Sequence, residues 1–74
     1  MNVAVILVGP FRLGRFKEEV REYQSGTCVQ EVIDELQLPM PLLGTVLING
    51  IHASVEDLLH DGDTVSLLPF MDGG

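Results

Sequence analysis

Seventy-four residues allow one domain at most, because a chain this short buries only about 60% of the surface that its unfolded form exposes. Apolar residues make up 46% of it, with no Trp, which suits a soluble core of Val, Leu and Ile and argues against disorder. Eleven acids against four bases give a formal charge of -7, and every base (Arg12, Arg15, Lys17, Arg21) lies in the first third.

A surface of that sign repels phosphate backbones, so no nucleic-acid partner is expected; it would steer the chain toward a basic protein, or serve solubility alone. The single cysteine, Cys28, excludes an internal disulfide and cannot by itself build a metal centre, so no metal site is expected. The apolar opening residues lack a basic leading segment and are too few for a signal sequence or a membrane span. A cytoplasmic chain with no membrane partner is the expectation.

In chain order, "MNVAVILV" (residues 1–8) is short, continuous and β-branched, which predicts a central strand buried on both faces. Gly9, Pro10 and Gly14 punctuate a loop that carries Arg12 and Arg15 and turns the chain back. "RFKEEVREYQ" is ambiguous: Phe16, Val20 and Tyr23 recur at helical spacing, yet a lone strand needs a partner, and a hairpin supplies one most cheaply. A second strand is therefore expected over residues 16–24.

Thr27 and Gln30 form a T-x-x-Q capping box that predicts a helix start at Thr27. Val29, Val32, Ile33 and Leu36 make its apolar stripe, while Glu31, Asp34 and Glu35 lie off it in water; Pro39 and Pro41 end it. "TVLINGIHA" then places Asn49-Gly50 between apolar runs, the pair that suits a tight hairpin turn. Ser54 and Asp57 cap a single turn with Leu58 and Leu59 on its apolar side, and Asp61-Gly62-Asp63 turns into a last strand.

Strand, strand, helix, strand, short strand, strand, with the last returning beside the first, describes an α+β β-grasp (ubiquitin-like) fold. The expected arrangement is a mixed sheet of four to five strands packed against one main helix over residues 1–70, with residues 71–74 a flexible diglycine tail. Pro69 stiffens the exit from the sheet and donates no ladder hydrogen bond, so it should mark where the tail leaves.

The residues "VLING" (46–50), "LLHDGDTVSLLP" (58–69) and above all Gly73-Gly74 resemble the ubiquitin-like sulfur carriers of the MoaD/ThiS type, over the whole chain. The ending "LLPFMDGG" is closer to the small subunit of molybdopterin synthase than to the thiamine-pathway carriers. The resemblance implies that the Gly74 carboxylate is the reactive group. A ubiquitin-activating-type enzyme would adenylate it with ATP, a persulfide donor would replace the adenylate, and the thiocarboxylate would deliver sulfur inside a larger catalytic synthase subunit that makes molybdopterin or tungstopterin. The carrier would be no enzyme and would bind no cofactor of its own.

The residue chemistry agrees: a carboxylate is a poor acyl donor and needs a water-excluding partner site, and glycines thread a narrow channel that side chains would block. Gly73 is accordingly assigned a steric part and Gly74 the chemical one. Phe70 and Met71 either anchor the tail in the partner or pack back on the domain edge. Asp72 departs from the small neutral residue familiar at that place, so the partner must accommodate an acid. Thiamine-pathway or tRNA-thiolation carriers, a ubiquitin-like modifier joined through Gly74 and an interaction module with an inert, frayed end remain as alternatives. Cys28 has no base near it in sequence, and His52 and His60 lack further ligands, so all three are taken as structural or surface residues.

Overall fold

A computed structural model describes residues 1–70. The chain runs β1 (Asn2–Leu7), β2 (Glu18–Glu22), helix α1 (Val29–Leu36), β3 (Leu43–Ile48), β4 (Ile51–Ala53) and β5 (Thr64–Pro69), with 3-10 turns at Gly9–Arg12 and Met40–Leu42. The strands form one sheet in the order β2-β1-β5-β3-β4. β1 and β5 are parallel, with Val5 beside Val65, and every other pairing is antiparallel. This is the mixed β-grasp sheet expected from the order of elements.

Alternation decides which side of the sheet is covered. Val3, Val5 and Leu7 of β1 and Val65 and Leu67 of β5 are fully buried, and they meet Val29, Val32 and Ile33 of the helix. Ala4 and Ile6 on the other face are only half-buried. The expectation of a first strand buried on both faces is thus corrected, because among the described residues one helix covers one face. Nor is β1 the middle strand: β5 takes that place and β1 lies next to it.

A strand does form within residues 16–24, at Glu18–Glu22, since its backbone pairs with β1 instead of closing helical turns, and Tyr23 N–H extends the pairing to Met1 O (2.9 Å). The helical spacing of Phe16, Val20 and Tyr23 was incidental: Phe16 and Tyr23 pack against the core, while Val20 is 67% exposed. This edge strand is tied to the helix by charge. The Tyr23 hydroxyl donates to Glu35 Oε1 (2.9 Å), and Arg21 bridges Glu19 (3.1 Å) and Glu35 (3.2 Å) with its guanidinium 5.6 Å from the Phe16 ring centre.

Burial and the bond to Glu35 push the Tyr23 phenol up to about 12 from its ordinary 10.0, against the opposing pull of Arg21. The unfolded chain therefore loses the Tyr23 proton at lower pH than the folded chain. Stability supplied by this group is complete below pH 10 and lost between about pH 10 and 12. Urea midpoints measured across that window should fall for the native chain more steeply than for Tyr23→Phe; parallel curves would refute the assignment.

The helix starts one residue later than expected, with Cys28 at its N-cap. Thr27 does not cap it; its hydroxyl is turned away and donates to Gln24 O (2.8 Å). Carbonyls from the 55–57 segment reach the first helical amides instead, with Val29 N–H bonded to Asp57 O (3.1 Å) and Gln30 N–H to Val55 O (2.8 Å). The capping box expected at Thr27 and Gln30 is replaced by one a residue further on, at Cys28 and Glu31, whose carboxylate accepts from the Cys28 N–H (3.3 Å). At the other end Gln37 takes a left-handed conformation (φ 56°), and Leu38 N–H closes on Ile33 O, so the helix stops before Pro39. Arg15 secures that end: its Nε donates to Leu36 O (2.9 Å) and its Nη2 to Gln37 O (3.0 Å), a cation on the negative pole of the helix.

Asn49 (φ 54°) and Gly50 (φ 80°) both adopt the positive angles that a two-residue hairpin needs, as expected for β3 and β4. Ser54 and Asp57 form their turn, with Ser54 N–H on Asp57 Oδ2 (2.9 Å), but only Leu59 turns inward and Leu58 stays 54% exposed.

Candidate functional site

The chain leaves the sheet at Pro69, and the geometry of that exit follows from two residues that each lack something. Proline has no N–H to give the ladder. Beside it β3 carries one extra residue: Leu43 is opposite Pro69 and Thr45 opposite Leu68, leaving Gly44 as a β-bulge between them. Pairing resumes beyond the bulge, where Phe70 N–H donates to Leu42 O. Pro69 is buried and is the last residue of β5, as expected, and Phe70 adds one backbone bond to β3 beyond it.

Gly44 lies directly under this crossing. A Cβ built on it would stand 2.7 Å from Phe70 Cα, 2.8 Å from Phe70 N and 3.0 Å from Pro69 C. All three are backbone atoms with no side chain to move aside. Across the strand, Gly9 (φ +60°) brings the 3-10 turn against the Pro69 ring.

Around the exit the surface is apolar. Phe70 is 65% exposed, Leu42 49% and Met40 41%, and a groove of about 350 Å³ is lined by Gly44, Thr45, Leu68, Pro69 and Phe70. Of the two placements open to Phe70, the structure therefore shows its ring facing outward. Met71, Asp72, Gly73 and Gly74 lie outside the described residues.

Other candidate residues lie elsewhere. A larger groove, about 480 Å³, sits at the opposite end of β3, with Ile51, Leu58, His52 and His60 on its walls. No cluster of His, Cys, Asp or Glu suited to a metal occurs among the described residues, and both histidines are exposed. Asp63 at that end is structural. It accepts from Asn49 Nδ2 (2.9 Å) and from the His60 N–H (2.9 Å), and these bonds hold its carboxyl below the usual carboxylate range. The acids of the helix face are exposed as expected, but each is engaged: Glu31 with the Cys28 N–H, Asp34 with Gln30, Glu35 with Tyr23 and Arg21. No helix among the described residues is long and apolar enough to cross a membrane.

Gly44, Leu42 and Met40 were not singled out by the sequence reading. A signal for Gly44 existed: an isolated glycine inside the apolar run "LLGTVLI" marks a bulge or a close backbone approach. Leu42 and Met40 carried none, since loop apolar residues next to prolines have no period.

The sequence profile of the ThiS family matches residues 5–74, all but the first four residues and including the stretch beyond Phe70. The chain belongs to the ThiS family. That makes it a member of the ubiquitin-like sulfur carriers, the family that the D-G-D, strand, proline and diglycine pattern resembled. Among curated proteins no sequence matches this ThiS-family chain.

Solved structures agree on the fold. A putative molybdopterin converting factor subunit 1 from Pyrococcus furiosus is 26% identical with a TM-score of 0.75, over 93% of this chain and 97% of its own. SAMP1 from Haloferax volcanii is 20% identical with a TM-score of 0.76, over 100% of both chains. A chain from the complex of subunits 1 and 2 of molybdopterin-converting factor from Helicobacter pylori 26695 is 23% identical, TM-score 0.68, over 100% of both.

Proposed function

We propose that this ThiS-family chain carries sulfur as a thiocarboxylate on Gly74 and delivers it as the small subunit of a molybdopterin synthase. One observation supports the reading: the family match runs through residue 74, beyond the end of the middle strand at Pro69, where Phe70 and Leu42 are exposed.

The chemistry assigns each part a task. A Gly74 carboxylate oxygen attacks the α-phosphorus of ATP in a ubiquitin-activating-type enzyme, and pyrophosphate leaves. The outer sulfur of a persulfide then attacks the acyl carbon and AMP leaves, giving an acyl disulfide. A second thiol cleaves its S–S bond, leaving the thiocarboxylate and a new disulfide. The chain itself does no catalysis. It excludes side reactions only by presenting the acyl group inside its partners, where Gly73 passes a narrow channel and Phe70, Met71, Asp72 and Pro69 meet the walls. ATP belongs to the activating enzyme, and the carrier holds no cofactor.

The molybdopterin pathway is favoured over the thiamine and tRNA-thiolation pathways by the likeness to the Pyrococcus furiosus protein and by the Pro-Phe-Met exit before the diglycine. A structure of a related fold in a complex of subunits 1 and 2 is the arrangement proposed here for the carrier and its larger catalytic partner, in the cytoplasm.

The test is intact-protein mass spectrometry after incubation with ATP, a cognate activating enzyme and a persulfide source. Replacement of one oxygen by sulfur on the chain is the expected result. No change with an enzyme that modifies its own known carrier would overturn the proposal, and reductant-resistant conjugates to lysines would replace it with protein modification.

A further inference from the structure

We propose that Gly44 is a positioning residue for the reactive tail: by having no side chain, it sets the direction in which the chain departs at Phe70. The assignment rests on the reading of Gly74 as the acyl donor.

The observations converge on one backbone crossing. The β-bulge puts Gly44 between the positions opposite Pro69 and Leu68, where proline offers no N–H, and the ladder closes again through Phe70 N–H and Leu42 O. A Cβ at 44 would lie 2.7 Å from Phe70 Cα and 2.8 Å from its nitrogen, closer than nonbonded carbon atoms approach. The backbone angles at Gly44 are not left-handed, so its glycine is not explained by conformation. The residue is also exposed, so a filled core does not explain it either. What remains is the space that Phe70 occupies.

Alanine at 44 must therefore push the Phe70 backbone outward or break its bond to Leu42. The four residues that follow span up to ~13 Å when drawn out, at ~3.3 Å each. Where a partner's channel grips the drawn-out tail, an outward shift of about 1 Å at Phe70 is passed on to the acyl carbon, and misplacement of about 1 Å at a reacting centre costs up to about 100-fold in rate. The faces of the domain away from Phe70 are unchanged. The effect should appear chiefly in the chemical step.

The experiment compares the native chain with Gly44→Ala as substrates for ATP-dependent adenylation by a cognate activating enzyme, with kcat and KM separated. Amide hydrogen exchange at Phe70 and thermal unfolding are followed in parallel. Gly44→Ala should lower kcat at least about tenfold with KM within about twofold, raise exchange at Phe70 and unfold within a few degrees of the native chain. Should the variant melt below the assay temperature, the two chains are compared at a lower temperature with a stabilising osmolyte, which permits the same measurement. Equal kcat for the two chains, or unchanged Phe70 exchange, overturns the assignment and leaves the carrier function standing. A native chain that a competent enzyme does not adenylate overturns the reading of the tail and this inference with it.

Discussion

Gly74→Ala should form less than about one-hundredth of the native amount of thiocarboxylate per unit time while melting at the native temperature. A methyl group at the acyl carbon's own residue sits where the partner's channel must close against water, and displacing a reacting group by about 1 Å costs up to about 100-fold. Folding is unaffected because the buried core lies between Val3 and Leu67, in the sheet and helix. Parallel measurement of melting and of sulfur incorporation by mass separates the two effects. Normal incorporation by Gly74→Ala would mean that the tail is not read sterically, and the assignment of Gly73 as the threading residue would fall with it.

Leu67→Ala should have the opposite signature, weakening the fold and lowering activity only as the folded fraction falls. Leu67 is fully buried in the middle strand, beside Leu7 on one side and Val46 on the other. Truncating such a leucine costs about 2–5 kcal/mol, the loss of transfer energy plus the cavity left behind. A domain of this size has only about 4–11 kcal/mol in total. At about 4–8 °C per kcal/mol, melting should fall by at least about 8 °C by circular dichroism. Leu47→Ala, half-buried on the open face, is the control and should cost much less. A Leu67→Ala loss as small as that of Leu47→Ala would show that the helix does not seal this part of the core.

Much of this architecture was legible because its signals are local. Asn49-Gly50 fixes its hairpin by backbone angles that few other pairs accept, and Val29, Val32 and Ile33 point one way on a helix whatever surrounds them. Residues 16–24 were legible only through topology, since the spacing of Phe16, Val20 and Tyr23 favoured the wrong element. What escaped depends on contacts distant in sequence. Nothing near Thr27 reveals that carbonyls of residues 55 and 57 will claim the helix amides, and nothing near Arg15 points to the carbonyls of Leu36 and Gln37. The exit was half legible: Pro69 announced the end of a ladder, but the close approach of Phe70 to Gly44 joins residues 26 positions apart.

The parallel pairing of β1 with β5 has a consequence for synthesis of the chain. Because the strand that leads to the tail is the middle of the sheet, β1 and β2 on one side and β3 and β4 on the other have no common partner until residues 64–69 have been translated. Loop closure over some sixty residues comes late and all at once, the hallmark of slow, nonlocal assembly. A ribosome that stalls early, or a protease that clips before Thr64, leaves two separated hairpins with exposed apolar faces, fit for degradation rather than for docking. Under the proposed function, an activating enzyme that recognises the assembled sheet would meet only chains already read through to the segment it is to modify.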